Sequence, residues 1–187
     1  LKKPHFYEQG LDALLKDHLG KKFRLVDSFL RADNCDVYII AVGTPLNEEN
    51  KPRLSYLEAA ADFVGTFLKP GDTVMLRSTV PVGTTRNVVK PILEKRSGLD
   101  VGEEILLAFA PERTAEGKAL EELRTLPQVI GGINRASADA ASNIFNMVAH
   151  ATVMVDSLEE AEMVKLLNNT YRDVVFNFAN EASLVAQ

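Results

Sequence analysis

The sequence predicts an α/β fold built on a mostly parallel sheet. Three observations carry that expectation. Short apolar runs alternate with segments of helical periodicity along the chain, and strands separated by helices need crossover connections, which make parallel neighbours. The run at 36–42 is almost continuously apolar, the pattern of a parallel strand covered on both faces. Turn-forming residues punctuate the runs, with Gly43-Thr44-Pro45 after the first and Lys69-Pro70-Gly71-Asp72 before the next.

Residues 8–19 place Leu11, Leu14, Leu15 and Leu19 at spacings of three and four, one face of an amphipathic helix that Gly20 closes. A short segment at 22–26 and a brief helix at 27–34 lead into the strand at 36–42. The next helix, 55–68, opens with Ser55 as its cap. A strand at 73–79 follows, then Pro81-Val82-Gly83 and a helix from about Thr84. Further strands are expected at 105–110, 128–132 and 152–156, with a helix at 137–149. From Ser157 to Gln187 there is neither Pro nor Gly, so one helix much longer than average is expected, of the kind that bridges to a second domain or pairs with a second copy. Two ordinary helices are the alternative.

The 187 residues are 46% hydrophobic and 25% charged, which suits a globular chain and excludes disordered and collagen-like classes. Twenty-one Lys and Arg stand against 26 Asp and Glu, a net charge of −5, and the charges are scattered. Neither a nucleic-acid surface nor a polybasic membrane patch is expected. No apolar run approaches the roughly 20 residues of a spanning helix, and the first ten residues lack the apolar stretch of a secretory signal. The expected location is the cytoplasm. Cys35, the single cysteine, has no partner for an intramolecular disulfide, and His5, His18 and His150 are too dispersed to mark a metal site. The chain opens without Met and closes inside a predicted helix, so it is expected to be a fragment.

Ligands of open α/β sheets bind beyond the carboxyl ends of the strands, and three such ends carry polar residues. After the first strand, Gly43 allows close backbone approach and Thr44 offers a hydroxyl and an N–H to a phosphate or ribose, although Gly-Thr-Pro is also an ordinary turn. After the second, Ser78 and Thr79 precede a helix start with free N–H groups, which favours an anion or polarised oxygen; capping by Gly83 or Thr84 explains the pattern equally well. After the third, Glu112 and Glu116 stand four apart with Arg113 between them, either dividing acid–base work and cofactor contact or forming a solvated loop. On the long helix Glu162, Lys165 and Asn169 share one face. A lysine and an amide there could meet a sugar hydroxyl or a developing oxyanion, or Glu162 and Lys165 could be an exposed helix-stabilising pair.

Taken in order, Gly43-Thr44-Pro45, the run from Ser78 to Gly83, the run from Pro111 through Glu112, Arg113 and Glu116 to Gly117, then Val129-Ile130-Gly131-Gly132 and the run from Glu160 to Asn169 resemble the UDP-glucose/GDP-mannose dehydrogenase family over nearly the whole chain. The Pro-Glu-Arg form is most similar to the branch acting on UDP-N-acetylhexosamines such as UDP-N-acetylmannosamine. The resemblance implies a Rossmann-like NAD-binding domain at 1–156, incomplete at its amino-terminal side, and the start of a central helical, dimer-forming domain at 157–187. It implies NAD as cofactor, a UDP-sugar as substrate, a homodimer through the long helix from Ser157, and a place in polysaccharide biosynthesis. Enzymes of this family oxidise a sugar C6 alcohol to the acid with two NAD molecules, by way of a thioester on a cysteine.

Carried over by position, Gly43, Thr44, Pro45, Ser78 and Thr79 would lie against NAD, with Thr79 also holding a water near the reacting carbon. Glu112 would be the base for thioester hydrolysis and Glu116 would sit near the nicotinamide. Lys165 would stabilise the oxyanion and Asn169 would hydrogen-bond the sugar or the intermediate. Two family features have no counterpart here: the Gly-x-Gly-x-x-Gly turn with its ribose-binding acid, and the nucleophilic cysteine beyond the long helix, whose position Cys35 does not match. The fragment alone is therefore expected to be inactive. A single-step hydroxyacid-type dehydrogenase, or a non-catalytic module with the same fold, are the rival readings; the paired glutamates favour the two-step enzyme.

Overall fold

Among the described residues five strands form one sheet in the order β1-β2-β3-β4-β5. They are β1 Val37–Ile40, β2 Thr73–Leu76, β3 Leu106–Phe109, β4 Gln128–Gly132 and β5 Thr152–Val155. The helices are α1 Leu11–His18, α2 Ser55–Gly65, α3 Lys90–Ser97, α4 Ala119–Thr125, α5 Arg135–Phe145 and α6 Leu158–Val185. The computed structural model describes residues 7–26 and 35–186, so the brief helix expected at 27–34 lies outside the described residues.

The sheet is parallel at β1–β2, β2–β3 and β4–β5, and antiparallel at β3–β4, where Phe109 faces Gly131. A parallel partner needs a crossover that returns the chain to the opposite end of the sheet. Between β3 and β4 the one helix is α4, which has seven residues and buries none of them. The chain therefore stays at the carboxyl end of β3 and β4 runs back from there. The carboxyl ends of β1, β2 and β3 share one rim, which is where the three polar segments lie.

Two apolar layers sandwich the sheet. On one face Leu57 and Ala61 of α2, Leu93 of α3, and Leu158 and Ala161 of α6 pack on Val74, Leu76, Leu107 and Phe109. On the other, Ala138, Ala141 and Phe145 of α5 cover Met75, Ala108 and Ile130. β1 departs from the expectation of a strand covered on both faces. Ile40 is buried and Tyr38 half-buried, but Val37 and Ile39 are exposed: α2 covers one side of β1, and among the described residues no element covers the other.

Local chemistry explains the helix boundaries. Ser55 is not the cap of α2; the cap position is Leu54, whose backbone is already helical, and Ser55 Oγ instead takes a hydrogen bond from Arg53 Nε at 3.1 Å. The helix expected from Thr84 begins as a π-turn, Thr85–Val89, before α3. Pro91 lies at the start of α3, where its missing N–H and its ring disfavour the regular ladder; the turn ahead widens so that Lys90 N–H bonds Thr85 O five residues back. α6 is one helix of 28 residues, about 42 Å long at 1.5 Å per residue. Ser157 Oγ accepts from Glu160 N at 3.1 Å, and Glu160 reaches back to Asp156 N at 3.0 Å, a variant of the capping box. Its first turn crosses Gly131 so closely that a Cβ there would stand 2.1 Å from Ser157 O.

Candidate functional site

The rim is laced by side-chain hydroxyls where the strand ladder stops. Thr44 Oγ1 donates to Thr79 O at 2.5 Å, and Ser78 Oγ donates to Val42 O at 2.7 Å. Each bond ties the loop after β1 to the loop after β2. Gly43, Pro45 and Thr79 stay exposed, and no heavy atom lies within 4 Å of where a Cβ on Gly43 would sit. The first two polar segments thus form one open shelf.

The turn after β2 was expected to attract an anion, and the anion is the chain's own Glu162. Its carboxylate, fully buried, accepts from Gly83 N at 2.5 Å, Thr85 N at 2.8 Å and Thr85 Oγ1 at 2.6 Å. Gly83 takes φ +89° to present its N–H, a conformation open mainly to glycine. Thr84 holds the N-cap position of the turn, as one of the two expected residues, but without a side-chain capping bond, its hydroxyl donating to Pro81 O at 2.6 Å; Glu162 is no exposed partner of Lys165, since its contact with Thr85 spans 77 residues and pins α6 to the rim. Arg86 and Glu159, 2.6 Å apart, add a second tie one turn earlier.

One helical turn beyond Glu162, Lys165 Nζ donates to the backbone carbonyl of Glu112. This contact joins the third polar segment to α6. The Glu112 side chain turns the other way, to Arg77 Nη2 at 2.7 Å and Thr114 N at 2.8 Å. Burial alone would push the Glu112 carboxyl up; the hydrogen bonds from Arg77 and Thr114 and the Arg77 charge outweigh it and hold the group at about 2. A carboxylate so strongly held is a weak proton acceptor, and a role as base requires Arg77 to move off it. Arg77 itself is buried, stacks its guanidinium 4.9 Å from the Phe145 ring centroid and leaves Nη1 without a partner. Lys165 is lowered from its ordinary value, by burial first and by Arg172, Arg77 and Arg113, against the pull of Glu112.

Glu112, Glu116, Lys165 and Asn169, to which the resemblance gives roles around the nicotinamide and the sugar, are divided between two hollows. Glu112 and Glu116 line a cavity of about 600 Å³ that Tyr7 and Glu8 also wall. Lys165 and Asn169 line one of about 210 Å³ with Arg113 and Arg172, and Asn169 Oδ1 accepts from Arg172 at 3.1 Å. The Lys165–Glu112 bond is the seam between them. Sequence reasoning missed Arg77 and Glu8, and it saw Glu162 only as a residue on the lysine's face, not as the buried tie to Gly83 and Thr85. A charged Arg77 closing an apolar strand was a visible signal; Glu8, whose carboxylate accepts from Gly117 N at 2.9 Å and Leu120 N at 3.4 Å to cap α4, left none. Cys35 lies before β1, at the end of the strand away from the rim, and its carbonyl accepts from Lys69 Nζ at 2.9 Å. Among the described residues no group of three or more His, Cys, Asp or Glu side chains stands together as a metal site, and no helix is long and apolar enough to cross a membrane.

Residues 1–172 match the NAD binding domain of the UDP-glucose/GDP-mannose dehydrogenase family. The chain belongs to this family. NDP-N-acetyl-D-galactosaminuronic acid dehydrogenase of Ralstonia solanacearum is 37% identical over 191 residues, covering 97% of this chain and 44% of its own length. The solved UDP-D-ManNAc dehydrogenase of Pyrococcus horikoshii superposes with a TM-score of 0.89 at 34% identity over 98% of this chain and 44% of that one. A ternary complex of GDP-mannose dehydrogenase from Pseudomonas aeruginosa gives 0.81 at 30% identity, over 96% and 42%. The chain spans less than half the length of the curated relatives it matches.

For this family member the cofactor is NAD, and the shelf fits it. Open space above Gly43 admits a ligand at the end of β1, Thr79 is exposed and its backbone carbonyl takes the Thr44 hydroxyl, and the exposed Glu116 stands on the neighbouring cavity.

Proposed function

We propose that the chain forms the cofactor-side wall of an enzyme that oxidises the C6 alcohol of a UDP-N-acetylhexosamine, or a UDP-hexose, to the uronic acid in two hydride transfers. The observation that carries the reading is the Lys165–Glu112 seam, which brings the glutamate loop and the lysine–asparagine face of α6 to one end of the sheet. NAD, when bound, accepts the hydride. Gly43, Thr44, Pro45, Ser78 and Thr79 form its shelf, and Glu116 stands beside the nicotinamide.

Lys165, part-buried and already lowered, holds an ammonium where negative charge grows on the substrate oxygen, and a desolvated cation opposes charge that develops only in the transition state. Asn169 orients the sugar. Glu112 takes a proton from water in the hydrolytic half of the reaction, once Arg77 has turned to another partner. Two hydrides leave the carbon and water supplies the second carboxylate oxygen.

The same helix serves as the dimer element in this reading. Leu167, Tyr171, Val174 and Phe178 are all exposed and recur at spacings of four, three and four along α6, the stripe by which helices pair. The deciding experiment is product analysis with UDP-N-acetylmannosamine in a preparation that turns over: a uronic acid with two NADH per sugar is expected. A ketone with one NADH would replace the reading with the single-step hydroxyacid type, and failure of the chain to bind NAD in a titration would support a non-catalytic module.

A further inference from the structure

The glutamate loop after β3 is held at its start by near neighbours and at its end by a distant one. Glu112 Oε1 accepts from Thr114 N at 2.8 Å, and Glu122 of α4 accepts from Ala115 N at 2.6 Å. Past Glu116 the holder is Glu8, 109 residues upstream, whose carboxylate accepts from Gly117 N at 2.9 Å and from Leu120 N at 3.4 Å. Glu8 is only 8% exposed, and its backbone carbonyl takes Leu11 N at 3.1 Å where α1 opens. A carboxylate accepting from backbone N–H groups makes charge-assisted bonds, stronger than neutral ones. Lys118 N bonds Ala115 O at 3.2 Å and closes a β-turn centred on Glu116 and Gly117, with Gly117 at φ +82°. Positive φ at the third turn position alone is the type II form. Glycine takes negative φ about as readily, so the turn by itself leaves the Glu116–Gly117 peptide free to rotate, and the bond to Glu8 is what selects its orientation.

We propose that Glu8 is the positioning residue of Glu116: it fixes the peptide that follows Glu116 and so keeps that carboxylate in the cavity the two residues share with Tyr7. Glu116 depends on such a hold, because among the described residues its exposed carboxylate has no hydrogen-bond or ion-pair partner and its placement follows the backbone. When the Glu116–Gly117 peptide rotates, its N–H leaves Glu8 and the Glu116 carbonyl swings toward the Glu8 carboxylate. Two acceptors then face each other, and the loop parts from Glu8 with Glu116 on it. Glu8 touches no reacting atom in this role; it ties the start of α1 to the cofactor wall. The inference rests on the proposed function in setting Glu116 beside the nicotinamide, while the hold on Gly117 stands on the hydrogen bonds themselves.

The test is a cycle of NAD titrations by calorimetry. Glu8→Ala and Glu8→Gln both remove the charge, but the glutamine oxygen still accepts from Gly117 N, so their difference isolates the bond. Glu8→Ala should weaken NAD at least about fivefold and Glu8→Gln less than about twofold. In a Glu116→Ala background Glu8→Ala should have no further effect, an outcome that a general loss of stability does not produce. Gly117→Ala keeps the test open if Glu8→Ala fails to fold: no heavy atom lies within 4 Å of the new Cβ, so it acts by disfavouring positive φ and should weaken NAD as Glu8→Ala does. Glu121→Gln, at an exposed position of α4, should bind like the wild type. Glu8→Ala binding like the wild type or like Glu8→Gln, or losing as much with Glu116 as without it, would overturn the proposal. If the wild type binds no NAD, or Glu116→Ala does not change its affinity, the proposed place of Glu116 falls instead, and hydrogen exchange of the Gly117 amide judges Glu8 separately. Exchange at least about tenfold faster in Glu8→Ala than in Glu8→Gln upholds the hold on the loop; equal exchange overturns it.

Discussion

Replacing Glu162 by glutamine tests whether a buried carboxylate clamps α6 to the rim. The wild-type group is fully buried and accepts three hydrogen bonds. Glutamine keeps the shape, but with its oxygen set to receive Thr85 N and Oγ1 its NH₂ faces Gly83 N–H, donor against donor. One buried N–H is stranded at about 1–3 kcal/mol, and the two remaining bonds fall from charged to neutral strength at about 1 kcal/mol each. Against this, glutamine escapes part of the desolvation cost of a buried charge. The expected net loss is about 2–3 kcal/mol. Alanine strands all three donors and leaves a void, for about 3–5 kcal/mol. Urea unfolding followed by circular dichroism measures both by linear extrapolation; for a chain of this size each kcal/mol moves Tm by about 2–4 °C. A glutamine variant within about 0.5 kcal/mol of the wild type, or an alanine variant more stable than the glutamine one, would refute the clamp.

Gly131→Ala should destabilise by about 3 kcal/mol, the upper end for overpacking, because its Cβ would stand 2.1 Å from Ser157 O and 2.9 Å from Ala161 Cβ; the same unfolding assay reads it. Glu112 is held below its ordinary value of 4.5, at about 2, so the stability from its Arg77 pair is complete above about pH 4.5 and drains as pH falls toward about 2. Its side chain is 45% exposed, so water screens the pair and the slope is shallow; Glu112→Gln should flatten the slope in acid titrations of Tm. In a preparation that oxidises a nucleotide sugar, Lys165→Ala should lower kcat by at least a hundredfold, on the order of 2.7 kcal/mol, with NAD affinity changed less than threefold; equal losses in both would take Lys165 out of the chemistry. Phe178→Glu, on the exposed stripe of α6, should shift a homodimer toward monomer in sedimentation velocity without lowering Tm.

The order of the elements was legible because burial writes itself into composition. The runs at 73–79 and 105–110 gave β2 and β3 to within a few residues at their ends, and the absence of Pro and Gly after Ser157 foretold a single α6. What stayed hidden depended on pairing at a distance. The reversal of β4 followed from α4, a helix of seven residues with no buried face, too short for periodicity to reveal. The exposure of Val37 and Ile39 could not be read from an apolar run, since hydrophobicity alone does not say which faces find a partner. Likewise the glutamates and the lysine were visible as residue types, but nothing in their spacing said that Glu112 would turn to Arg77 while its carbonyl received Lys165.

The reversal at β4 and the buried Glu162 together explain why α6 bears on the site at all. Were β4 parallel to β3, the chain would leave the sheet after β5 pointing the other way. With β4 and β5 running back from the rim, α6 starts against Gly131, whose missing side chain lets Ser157 pass, and heads toward the carboxyl ends of β2 and β3. Leu158 and Ala161 anchor that approach in the core, and Glu162 fixes its azimuth by filling the turn at Gly83–Thr85. Lys165 is the next residue on the same face, and it reaches the glutamate loop because the preceding turn is locked in three places. A helix secured in this way for little more than its first turn can leave its remaining turns apolar and uncovered, as Leu167, Tyr171, Val174 and Phe178 are, without giving up the placement of the lysine. Site geometry and the free helical stripe are therefore separable, and a substitution on the stripe that altered Lys165 chemistry in a monomer would contradict that division.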